Sequence, residues 1–104
     1  MTQERITEIA GFVAKHEEEV NGLLAAPPQE VAEKITGMGF PITTEEFVEF
    51  CTMIDDAGIK SDGSELGDED LENVSGGIVG AIIGLGILTY AIFAGLGNYI
   101  KRYR

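Results

Sequence analysis

A chain of 104 residues with 44% hydrophobic and 24% charged residues allows one small folded unit plus an appended segment, not two large cores. Charge is spread unevenly: residues 1–77 hold eighteen acids against four bases (Arg5, Lys15, Lys34, Lys60), a formal −14, whereas residues 78–104 hold three bases and no acid, +3. The single cysteine excludes an intrachain disulfide framework, and residues 1–6 lack the basic start and apolar run of a secretory signal, so an exported product needs another route.

In chain order, Ile6, Ile9, Val13, Val20 and Leu24 recur among acids at helical spacing and predict a helix over 3–24. His16, between Lys15 and Glu17, Glu18 and Glu19, reads as a solvent-facing residue of that helix. Pro27 and Pro28 interrupt the pattern and suit the first turn of a second helix, about 28–38, with Val31, Ile35 and Met38 on one side. Gly37 and Gly39 flank its stop. Thr43 with Glu46 forms a capping box that opens a third helix to about Ala57, carrying Phe47, Phe50, Cys51 and Ile54. At that spacing Cys51 is a small core residue rather than a reactive thiol. A helical unit of about 57 residues buries only a small core and is expected to be marginally stable.

Residues 55–64 are polar and Gly-rich and mark a linker, placed at 58–67. Its Asp and Gly density invites a calcium-loop test. Setting Gly58 or Gly63 at the sixth loop position puts Met53 or Gly58 at the first, where an Asp is required, so the loop fails. One His and one Cys cannot supply a zinc site, and one His offers no credible nucleophile–base pair. No enzyme, catalytic residue, cofactor or metal is expected.

Residues 65–77 are more specific. Asp68 to Val74 suits a short helix with acids in its first turn, and Leu71 and Val74 share a face with Leu66 just ahead. Gly76 and Gly77 then end the helix and leave an unencumbered extended backbone, which a peptidase with narrow subsites beside the scissile bond would accept.

This stretch resembles the end of double-glycine leaders in bacteriocin-type precursors. Counting back from a cut after Gly77, those leaders favour apolar residues at positions four, seven and twelve, where this chain has Val74, Leu71 and Leu66. Residues 12–50, with Gly39-Phe40-Pro41-Ile42-Thr43-Thr44-Glu45-Glu46-Phe47, are similar to the long leaders named after a nitrogen-fixation gene product, whose helical domain ends in a Leu-Ser-Asp-Glu-Glu-Leu-like stretch and Gly-Gly. The resemblance covers about residues 5–77. It departs at Gly67, where Ser usually caps the helix, leaving Asp68 to cap one residue later. It implies a papain-like cysteine peptidase domain, fused to an ATP-binding-cassette exporter, that holds Leu66, Leu71 and Val74, cuts between Gly77 and Ile78, and exports the rest.

Beyond the cut, residues 78–100 are 23 positions without a charge. As one helix they would extend roughly 35 Å, enough for a hydrocarbon core of about 30 Å. Gly80, Gly84, Gly86, Gly95 and Gly97 lower helix propensity in water, so lipid or a partner should stabilise the helix. Gly76, Gly80 and Gly84, and Ala91 with Gly95, repeat the small-x-x-x-small spacing that lets membrane helices approach closely. Tyr99 and Tyr103 lie where interface anchors would, and Lys101, Arg102 and Arg104 can engage anionic lipid. With no Cys or Ser and only Thr89 after the cut, extensive modification is not expected.

The expectation is an all-α chain: an acidic helical leader domain at 1–57, a flexible linker, a short recognition helix with the cleavage motif at 68–77, and an apolar, cationic, membrane-active helix at 78–104. Its partners would be the peptidase-bearing exporter, the target membrane and, as an open alternative, a second peptide, with no nucleic acid. The precursor would reside in the bacterial cytoplasm and the product would be secreted. A pheromone precursor is one alternative. A single-span adaptor is another, but it would put the Lys-Arg cluster outside, against the positive-inside tendency.

Overall fold

Capping and charge decide where the first helices begin and end. The Thr2 hydroxyl accepts from the Arg5 N–H at 3.1 Å and opens α1 (Gln3–Lys15), which buries Ile6, Ile9, Ala10 and Val13. The structure, a computed structural model, describes residues 1–58, 77–85 and 91–103, and within these it does not extend to the side chains of residues 77–79 and 83. The single helix expected over 3–24 is instead two, because the chain turns at His16 (φ −120°, ψ 39°) before α2 (Glu17–Leu23). Lys15 at the end of α1 and three glutamates at the start of α2 each suit a helix terminus, and that advantage would be lost inside one continuous helix. His16 does not stand free in solvent. It is half-buried, with its ring 4.5 Å from that of Phe12.

Pro27 and Pro28 start α3 (Pro28–Gly37), whose Val31, Ala32 and Ile35 are buried. Met38, expected beside them, caps the helix end and is 40% exposed. Gly39 takes φ +97°, which reverses the chain at little steric cost. The Thr36 hydroxyl then pins the return, donating to the Ile42 carbonyl and accepting from its N–H.

The capping box at Thr43 and Glu46 forms as expected and opens α4 (Thr44–Ala57). Each side chain accepts from the other residue's N–H, at 3.1 and 3.2 Å. Glu46 also takes the Arg5 guanidinium at 3.0 Å, tying α1 to the start of α4. Phe47, Phe50, Cys51 and Ile54 face inward, and burial pushes the Cys51 thiol up to about 12. Residues 55–57, at the edge of the expected linker, complete α4. Gly58 ends it in the left-handed conformation (φ +69°), and the rest of the linker lies outside the described residues.

The apolar tail departs most from expectation. In place of one 23-residue helix it forms α5 (Gly77–Gly84) and α6 (Ala91–Lys101), with α5 ending in a turn at Leu85. No helix among the described residues is long and apolar enough to cross a membrane. The physical reason is that two short helices can each lay an apolar face on the acidic helices, α5 mainly on α1 and α6 mainly on α4. One core cluster therefore joins Ile9, Val13, Phe47 and Phe50 to Ala81, Ile82, Phe93 and Leu96. All described elements are helical, and the radius of gyration, 12.6 Å, matches the roughly 13 Å of a folded domain of about 100 residues.

Candidate functional site

Two places carry functional weight: the junction at Gly77 and the seat that the acidic helices offer to α6. At the junction, Leu66, Leu71, Val74 and Gly76 lie outside the described residues. Gly77 and Ile78 are described, and they correct one expectation. Gly77, expected in an extended segment, is helical and belongs to α5. The backbone after the proposed cut is thus helical in the intact chain. A peptidase that reads an extended strand would have to unwind the helix at this point.

The seat is built around α6. Ile92, Phe93, Leu96, Tyr99 and Ile100 are each 5% exposed or less, while Ala91, Asn98 and Lys101 face solvent. The buried positions recur at three- and four-residue steps and make one stripe. Fully covering five such side chains is worth on the order of 10 kcal/mol before ordering costs.

Tyr99 supplies the directional contact. Its hydroxyl donates to the Ala26 carbonyl at 2.6 Å across 73 residues of sequence, and its ring meets Phe47 edge-on at 6.0 Å. Expected as a membrane-interface anchor, Tyr99 is here fully buried, whereas Tyr103 is 48% exposed and packs against it at 5.1 Å.

Gly97 sets how closely α6 approaches α4. A Cβ there would lie 3.4 Å from Ile54 Cγ2 and 3.5 Å from Asp55 Cα. Sequence reasoning counted Gly97 only as a helix-weakening residue. Its signal was available: it sits between Phe93 and Ile100 on the apolar stripe, where a large side chain would otherwise be expected.

The small residues singled out for helix packing behave differently. Gly80 is half-buried, and Gly84 is exposed with nothing near the position of a Cβ. Ala91 is exposed, and Gly95 faces Leu24 at 3.9 Å. Among the described residues, only Gly95 of the stripe lies against a neighbouring side chain, that of Leu24. The stripe tracks spacing alone, whereas burial here follows the large apolar side chains.

Of the basic residues expected at lipid, Lys101 pairs with Asp55 at 3.4 Å and Arg102 lies over the Tyr99 ring at 5.4 Å. Arg104 lies outside the described residues. One acid of α4 thus holds one base of the tail, but Lys101 remains largely exposed, and the pair contributes little beside the apolar contact.

Comparison with protein families, with curated proteins and with solved structures finds no match to this chain.

Proposed function

We propose that this chain is the ribosomal precursor of a secreted membrane-active, bacteriocin-like peptide, cut after Gly77 to release residues 78–104. The observation that carries the proposal is a coincidence of boundaries at Gly77. A formal charge of −14 before it gives way to +3 behind it, and the Gly-Gly with its spaced Leu66, Leu71 and Val74 ends there.

Recognition would be shared between the three apolar residues, held in shallow pockets of an exporter's cysteine peptidase domain, and the two glycines, which fit a narrow active-site cleft. The helices before residue 58 act as a folded handle. Once exported, residues 78–100 would re-form as one helix, since lipid leaves no alternative partner for the backbone N–H and C=O groups. Lys101, Arg102 and Arg104 would then lie at anionic headgroups, with Tyr99 and Tyr103 at the interface. A single-span adaptor fits less well, because α5 and α6 are two short helices packed on the acidic ones.

Intact mass of the secreted product from a producing strain tests the cut. A mass equal to unmodified 78–104, with accumulation of full-length chain in Gly77→Val, is expected. Secretion of the full-length chain, or an unchanged product from Gly77→Val, refutes the cut. Membrane activity is tested separately with purified 78–104 on dye-loaded anionic vesicles and on sensitive bacteria, and inertness in both removes that part of the proposal.

A further inference from the structure

We infer that residues 1–58 are a binding module for the segment behind the cut, so that after cleavage α5 and α6 stay seated on α1, α2 and α4 until a membrane takes over the same face. The inference rests on the proposed cut after Gly77. Three observations carry it.

First, α6 is held by its apolar stripe and not by the connection to α4. Ile92, Phe93, Leu96, Tyr99 and Ile100 are buried in the cluster shared with Phe47, Phe50 and Ile54, and cutting one peptide bond at the start of α5 removes none of these contacts. Cleavage lowers the effective concentration of the two pieces for each other but leaves their surfaces matched.

Second, the seat has shape and direction. Gly97 lets α6 rest against the α4 backbone at Asp55, the Tyr99 hydroxyl reaches the Ala26 carbonyl, and Lys101 reaches the Asp55 carboxylate. A merely greasy face would need none of the three.

Third, the face that α6 lends to the seat is the one it would lend to lipid. Its other side carries Ala91, Asn98 and Lys101, all exposed. The acidic helices and a membrane therefore compete for a single stripe, and a seated peptide cannot insert. Cutting and release become separate events.

The test uses the full chain with residues 74–77 replaced by a recognition tetrapeptide for a site-specific protease, so that the cut falls before Ile78. After cleavage, verified by intact mass, both pieces should co-elute as one species on native size exclusion at about 10 μM. The cut protein should also release at least about tenfold less dye from phosphatidylglycerol-containing vesicles than the same amount of 78–104 isolated after denaturation. Separation of the pieces in native buffer overturns the inference even if isolated 78–104 permeabilises vesicles. Co-elution with an inert isolated peptide keeps the binding module and removes the membrane-active function.

Gly97→Leu, made in the same protein, should separate the pieces, because a Cβ there already touches Ile54 and Asp55 and the rest of a leucine side chain must push α6 off α4. Unchanged co-elution in that variant overturns the assigned seat. Tyr99→Phe, a milder change, should raise the dissociation constant about five- to tenfold, and an unchanged constant counts against the seat in the same way.

Discussion

Leu96→Ala tests whether the tail is part of the core. Leu96 lies on α6, is fully buried, and belongs to the same cluster as Ile9 and Phe50. Truncating a buried Leu to Ala costs about 2–5 kcal/mol, the transfer loss plus the cavity left behind. Taking about 3 kcal/mol and a urea slope of about 1.5 kcal/mol per M, the unfolding midpoint should fall by about 2 M. The chain supplies a convenient pair of probes. It has no Trp, and its three tyrosines, Tyr90, Tyr99 and Tyr103, all follow residue 77, whereas four of the six helices among the described residues lie before residue 58. Tyrosine fluorescence therefore reports the tail, and far-ultraviolet circular dichroism is weighted toward the acidic helices. The two transitions should coincide in the wild type and shift together in Leu96→Ala. A tyrosine transition that moves alone, with the dichroism midpoint unchanged, would refute the shared core.

Thr43→Ala removes the hydroxyl that caps α4 and half of the reciprocal box, and should cost about 0.5–2 kcal/mol by thermal or urea unfolding. The Arg5 guanidinium, and after it the Thr43 N–H, hold the Glu46 carboxyl below the usual carboxylate range. A lowered folded value means that this stabilisation is present above the unfolded value, near 4.5, and is lost as pH falls through the folded one. The stability difference between wild type and Glu46→Gln should thus be clear at about pH 7 and shrink as pH falls below the unfolded value, and a difference independent of pH would contradict it. Cys51, buried and with its thiol pushed up to about 12, should resist a disulfide reagent at about pH 8 in native buffer and react at once in urea. Rapid labelling of the folded chain would show that α4 is not covered as described.

What could be read along the chain was local. The capping box at Thr43, the helix-compatible prolines at Pro27 and Pro28, the core role of Cys51 and the stop at Gly58 depend on residues within a few positions of one another. The break at His16 was legible too, in the Lys15 to Glu17 charge reversal, but an unbroken apolar period masked it.

The tail shows where local reading runs out. By itself, the sequence determined that residues 78–104 are apolar, helix-forming and cationic at the end, and that a chemical boundary falls at Gly77. A hydrophobic stripe records that a face must be buried, not what buries it, because the hydrophobic effect is non-directional. Lipid and a neighbouring helix both satisfy the pattern, and only the tertiary structure put α4 opposite α6. That placement turned Gly97 from a weak point of a helix into a point of close packing on α4, and moved Tyr99 from an expected membrane interface to the Ala26 carbonyl, 73 residues away in sequence.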